Sequence, residues 1–376
     1  MAERIYWHIG LPKTGTTYLQ QILWSHREEL AAAGITLPAA GHRRSLWAAL
    51  DLMGNPRLDR RHPEAPGSWE RLCEELDQVE GTALLSHEFF CGATAEQVEA
   101  AVARLSPAEI HVVITARDAA GMLTAGWQEH VKNGGVSTLR EVASLVEPAE
   151  FGWWVWDLGQ VIERWAGVVP ADRIHVLPTP SRAEAPDQHW RNFAEVIGFD
   201  SPVEGTESQA NRSLGVVQAE ALRRVNQHLQ GFGKPVDRGV WIRGYLGEDH
   251  LARQESERVR LDDDLLRDCR TRSSYAVELI ERLGVRVVGD TDRLVVPAGD
   301  PVGRTLDSLS PDEVTDSLAV LVSTLMADVR DARAEAAASR AVPEVAPEPE
   351  VRPVWRIRRR LRNVISSART DRQSSS

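Results

Sequence analysis

Residues 8–17, His-Ile-Gly-Leu-Pro-Lys-Thr-Gly-Thr-Thr, combine two glycines, three threonines and one lysine in the pattern of a loop that grips a phosphate. Gly10 and Gly15 permit tight bends and close backbone approach, so the N–H groups from Thr14 to Thr17 can converge on an anion at a helix N-terminus. The hydroxyls of Thr14, Thr16 and Thr17 add donors. In the common loop G-x-x-x-x-G-K-[ST], the lysine follows the second glycine and reaches the β and γ phosphates. Here Thr16 holds that place, and the lysine is Lys13, on the rising side of the loop. From there it reaches the bond being broken rather than a chain of three phosphates. The loop suits a shorter phosphate arm.

Two further groups fall where such a loop needs them. The apolar run His111–Thr115 reads as a strand that delivers Arg117 to the C-terminal edge of a sheet, the side where open α/β sheets bind ligands. The run Thr82–Leu85 does the same for Ser86-His87-Glu88. Transfer of a group to an alcohol requires removal of the hydroxyl proton, and either His87 or Glu88 is a candidate general base there. A zinc reading of His87-Glu88-x-x-Cys91 fails the H-E-x-x-H pattern, because cysteine stands in the fifth place. No metal is expected.

The segment Pro12-Lys13-Thr14-Gly15-Thr16-Thr17 resembles the 5′-phosphosulfate loop of the sulfotransferases that use 3′-phosphoadenosine 5′-phosphosulfate (PAPS). The resemblance implies a P-loop-NTPase-like α/β fold, a parallel sheet flanked by helices. It also implies sulfuryl transfer from PAPS to a hydroxyl of a carbohydrate, lipid or small molecule, without a metal. Lys13 would sit by the oxygen that bridges sulfur to the 5′-phosphate, with Thr14, Gly15, Thr16 and Thr17 around the phosphate. Arg117 would grip the 3′-phosphate. The family's serine, usually eight residues after that arginine, is replaced here by Ala125, and Thr124 lies one residue short. One helical step rotates a side chain by about 100°, so Thr124 takes the serine's role only with a local shift. Family members use a histidine or a glutamate as base, and the Ser-x-Glu spacing favours Glu88, as in the carbohydrate and bacterial branches. Two other classes stand beside this one: a P-loop kinase using ATP–Mg²⁺, and a non-catalytic nucleotide-binding interaction protein.

Around these residues, apolar strand-like runs at Ile5–Ile9, Thr82–Ser86, His111–Thr115 and Ile174–Leu177 alternate with helical patterns such as Ala95–Leu105 and Trp156–Ala166, the mark of an α/β fold. Residues 34–70 have no clean period and suit an irregular cover over an acceptor site. Trp165 reads as core, Trp153, Trp154 and Trp156 as packed core or interface in preference to a stacking surface for a sugar or aromatic acceptor, and Lys132 as either a ligand contact or a solvated helix face. Asn211-Arg212-Ser213-Leu214 reads as a helix start, in preference to a polar contact with the cofactor or acceptor.

Of the 376 residues, 1–300 form the expected α/β domain, 301–340 an amphipathic helix, and 341–376 a disordered Pro/Glu-rich linker with a basic tail. The tail, 352–365, has the pattern of a peripheral contact with an anionic membrane surface or acidic partner. A formal charge of −11 argues against nucleic-acid binding. Three cysteines without pairing or metal spacing fit a reducing cytoplasm, and the chain contains neither a signal-peptide pattern nor an apolar run long enough to span a bilayer.

Overall fold

The computed structural model describes residues 1–38, 41–148, 151–181, 183–200, 213–299 and 302–341. Among them, β1 (Arg4–His8), β2 (Ile35–Thr36), β3 (Thr82–Ser86), β4 (Glu109–Ala116), β5 (Ile174–Pro178) and β6 (Arg286–Val287) form one sheet in the order β2-β3-β1-β4-β5-β6. Every pair in it is parallel. A parallel sheet is covered on both faces, which is why its central strands are apolar nearly throughout. Ile110, Val112, Val113 and Ile114 of β4 and Ile5 and Trp7 of β1 are all buried.

Side chains alternate across each strand and so divide between two cores. On one face, Tyr6, Leu84, Val113 and Leu177 pack with Leu19, Ile22 and Leu23 of the helix Thr16–Ser25 and with Trp190, Phe193 and Ile197 of the helix Gln188–Ile197. On the other, the Trp7 ring lies 5.5, 5.1 and 5.0 Å from the rings of Trp69, Phe90 and Trp165. Trp153, Trp156 and Trp165 are buried in the core, whereas Trp154 is half-buried and donates its indole N–H to the Gly92 carbonyl.

The four expected strands are present, while β2 and β6, two residues each, are too short to leave a period in the sequence. Among the described residues of 34–70, turns and loops join β2, the helices His42–Leu52 and Leu58–Arg61 and the start of the helix Ser68–Asp77. The helix expected from Trp156 begins instead at Leu158, because Asp157 caps it by accepting the Gln160 N–H at 3.2 Å. Cys73, Cys91 and Cys269 are free and buried.

Among the described residues, Met1–Ser323 form one compact unit, and the helix Pro311–Ala341 passes out of it at Thr324. Asn211, Arg212, the linker from residue 342 and the basic tail at 352–365 lie outside the described residues. No described helix is long and apolar enough to cross a membrane.

The strand order positions the site. β1 lies between β3 and β4, with His8 in register with Ser86 on one side and Val113 on the other. The loop after β1, the His87-Glu88 turn after β3 and Arg117 after β4 therefore emerge together at one edge of the sheet. Trp7→Ala, which empties the middle of one core, is expected to cost about 3–5 kcal/mol of unfolding free energy, measured by urea titration.

Candidate functional site

The loop is built around a backbone that non-glycine residues rarely adopt. Lys13 has φ 68°, the only described non-glycine residue with positive φ, and Gly15 follows with φ 85°. A left-handed lysine costs about 1–2 kcal/mol. The turn is closed by Thr14, whose fully buried hydroxyl bonds to the Leu11 carbonyl and to Thr115 Oγ1, both at 2.6 Å. That hydroxyl points into the protein and does not serve as the expected donor at the loop mouth. Thr16 is also buried, packed so that a Cβ on Gly10 would lie 2.6 Å from its Cγ2, whereas Thr17 is exposed. Gly15 occupies the cap position of the helix Thr16–Ser25, and no side chain caps it. The N–H groups of Tyr18 and Leu19 donate to the Gly15 carbonyl, at 3.0 and 3.2 Å, so those of Thr16 and Thr17 are the ones left for an external acceptor.

Beneath the loop, buried polar groups fasten the three central strands together. His8 Nδ1 lies 2.8 Å from Ser86 Oγ, and its Nε2 lies 3.4 Å from Thr115 Oγ1, which in turn bonds to Thr14. Burial pushes the His8 pKa down to about 3, with His189 and His87 acting in the same direction and Glu88 opposing. The ring is neutral and links one strand to the next through one donor and one acceptor.

Lys13 projects from the turn and is 30% exposed, its Nζ donating to Glu129 Oε2 at 3.0 Å. Glu129 is held in turn by Asn133 Nδ2 at 2.8 Å and by Arg243, which also donates to Asn133 Oδ1 at 3.1 Å. Arg243 comes from Arg238–His250, a segment wound as a π-helix, a form common at functional sites. Burial lowers the Lys13 pKa, Arg243 and Arg117 reinforce the effect, and Glu88 and Glu248 oppose it. Lys132 is 6% exposed rather than on a solvated face, and its pKa is lowered by burial and by Lys13. Lys13, Lys132 and Arg243 thus gather beside Glu129, Glu88 and Glu248 in a mixed charged cluster, with Arg117 acting on Lys13.

The base candidates separate cleanly. His87 is almost fully buried, and its Nδ1 accepts the Phe89 N–H at 3.1 Å. Burial lowers its pKa to about 4, so at neutral pH the ring is uncharged and its single proton sits on Nε2. Neither nitrogen then offers a free lone pair. His42, His87 and Glu88 bring ligand-type atoms within 4.8 Å of one another, but the Phe89 N–H already takes the His87 lone pair. Glu88, 18% exposed, accepts from Gln20 Nε2 at 3.0 Å. Burial pushes its pKa up, yet His87, its own backbone N–H, Gln20 and His42 together hold it below the usual value. Glu88 is therefore an ionised carboxylate with a fixed orientation, tied by Gln20 to the helix that starts at the loop.

Arg117 stands at the third strand end. Asp118 caps the next helix by accepting the Gly121 N–H at 2.7 Å, and the Asp118 and Ala119 N–H groups are held by the Arg293 carbonyl and Ser273 Oγ. The Arg117 guanidinium lies flat on Gly121, where a Cβ would overlap it. Its ion pair with Asp118 is long, at 4.0 Å. Burial lowers its pKa, and Asp118 opposes. Thr124 gives its hydroxyl to the carbonyls of Ala120 and Gly121, at 3.0 and 3.2 Å, so its proton is committed to its own helix.

The structure therefore gathers Lys13, Glu88 and Arg117 at one edge and adds Gln20, Glu129 and Arg243, which no local spacing singles out. Cavities of about 340 and 380 Å³ occur elsewhere, around Trp47 and around Arg223, and none of Lys13, Glu88 and Arg117 lines either. No protein-family model matches the chain, and comparison with curated proteins finds no significant match.

His8, His87, His175 and His189 all have pKa values lowered to about 3–4, chiefly by burial. Near pH 5 the unfolded chain binds protons at these sites and the folded chain does not, so stability rises with pH. The unfolding free energy, measured by urea titration, is expected to fall as pH drops from about 6.5 towards 4, by up to about 1.4 kcal/mol per pH unit for each group. A flat profile across that window contradicts the burial of these rings as neutral groups.

Proposed function

We propose that the protein transfers a sulfuryl group from PAPS to an acceptor hydroxyl on a carbohydrate, lipid or small molecule, on a P-loop-like parallel fold. The observation that carries this reading is Lys13, held in a left-handed turn before Gly15, with an uncapped helix N-terminus behind it and Arg117 and Arg243 within electrostatic reach. These groups suit a donor with two separated anionic arms.

In this reading the N–H groups opening the helix Thr16–Ser25 hold the 5′-phosphate, and Lys13 faces the oxygen that bridges phosphorus to sulfur. Arg117 holds the 3′-phosphate, on the bare backbone of Gly121. The acceptor oxygen attacks sulfur as the bond from sulfur to the bridging oxygen breaks. Glu88, ionised and oriented by Gln20, takes the hydroxyl proton, and Lys13 stabilises the negative charge that develops on the departing bisphosphate. A sulfuryl group carries less charge than a terminal phosphoryl group, which relaxes the need for metal neutralisation.

Adenosine 3′,5′-bisphosphate is expected to raise the melting temperature, and PAPS to support SO₃ transfer to a member of an alcohol panel read by mass spectrometry. Lys13→Ala should lower turnover by about 10²–10³-fold. Glu88→Gln should lower it by about 10²–10⁴-fold, with His87→Gln retaining the wild-type pH profile. Stabilisation by ATP–Mg²⁺ alone sinks the proposal in favour of a kinase, and binding of the bisphosphate without turnover favours an interaction protein.

Gly121→Ala tests the 3′-phosphate arm separately. The new methyl displaces only the end of the Arg117 side chain, so folding stability should stay within about 1 kcal/mol, while affinity for adenosine 3′,5′-bisphosphate falls about tenfold by calorimetry. Unchanged affinity removes Arg117 from the site.

A further inference from the structure

His189, the second residue of the helix Gln188–Ile197, is 7% exposed, yet neither of its ring nitrogens makes a well-formed hydrogen bond among the described residues, the Thr14 backbone offering it only a poorly aligned contact. Buried polar atoms are nearly always paired, and leaving one unpaired costs about 1–3 kcal/mol. The ring lies against the phosphate loop: a Cβ on Gly15 would be 2.9 Å from both its Cδ2 and its Nε2. Gly15 itself is exposed, so the loop is open beside the covered ring. Burial lowers the pKa of His189 to about 4, with the Thr14 backbone opposing, so at neutral pH the ring carries one N–H. The titratable side chain that interacts with it is His8 of β1, itself buried and neutral.

An uncapped helix N-terminus and a buried imidazole without a well-formed hydrogen bond thus meet at Gly15, contributed by elements on the same face of the sheet. We infer that His189 is a further anion-binding residue, whose ring N–H donates to a phosphate oxygen seated on the N–H groups of the Thr14–Thr17 turn. This rests on the proposed use of the loop for a phosphate-bearing donor. The contact explains why a polar ring is kept dry at this point: the bound anion supplies the well-aligned acceptor that the Thr14 backbone does not. It also gives Gly15 a second constraint beyond its positive φ, since any side chain there would strike the ring.

Calorimetry with adenosine 3′,5′-bisphosphate and with inorganic pyrophosphate tests the assignment on the full chain. His189→Phe keeps the ring volume and removes the nitrogens. It should weaken both ligands about 10–100-fold, with His189→Gln, which restores an N–H donor, recovering part of the loss. Equal binding by wild type and His189→Phe overturns the inference, and so does a loss confined to the bisphosphate, which would place the ring on the nucleoside. Should His189→Phe fail to fold, nitrogen NMR of the wild-type imidazole decides: the His189 signals must shift on saturation with pyrophosphate, and unmoved signals overturn the contact. Failure of the wild type and of a Lys13→Ala control alike to bind either ligand counts against the phosphate-loop reading itself. Binding by wild type that is insensitive to His189 counts only against this residue.

Discussion

Everything at the sheet edge depends on one strained residue. Lys13 can hold φ 68° only because the residues around it leave no relaxed alternative. Thr14 closes the turn on the Leu11 carbonyl, and the same hydroxyl meets Thr115, so the loop is pinned to β4 as well as to its own strand. His8 extends the restraint to Ser86 at the end of β3. Relaxing Lys13 would leave several of these buried groups unpaired, each costing about as much as the strain relieved. The polar chain is therefore stabilising mainly through what its loss would expose.

The same chain sets distances within the site. Because β3, β1 and β4 are neighbours with fixed register, the groups that follow them cannot drift apart without breaking the sheet. Gln20 adds a second tie, from the helix that begins at the loop to the carboxylate that follows β3. Arg117 is fixed differently, by the Arg293 carbonyl and Ser273 holding the turn after β4. The lysine and the carboxylate thus share one rigid frame, and the arginine answers to elements from the later part of the chain.

That division explains how much was legible in the sequence. Lys13, Glu88 and Arg117 each follow an apolar run long enough to declare a strand, so their common edge could be inferred. β2 and β6 have two residues each and leave no period. Gln20, Glu129 and Arg243 gain their roles from contacts 68, 116 and 114 residues apart in sequence, which no local spacing encodes. Thr14 differs from the expectation in direction alone: its hydroxyl suits a phosphate, but it bonds inward to the Leu11 carbonyl and Thr115. Lys132, polar and near a helix end, gave no sign that the segment Arg238–His250 would pack close to it, with Gly247 3.9 Å from its Cγ by way of a Cβ.

The pairing of Lys13 with Glu129 bears on which ligands the edge can take. Glu129 is anchored by Asn133 and Arg243, so it does not leave when an anion arrives. An entering ligand must draw Lys13 away from a carboxylate that stays in place, against an attraction that is only partly screened at 24–30% exposure. A single weakly charged group gains too little from one lysine to do so. A ligand that also engages the loop N–H groups and Arg117 gains several contacts at once, because those donors are already oriented. In the proposed reading, the carboxylate that competes for the lysine is what sets a ligand with two anionic arms above a simple anion.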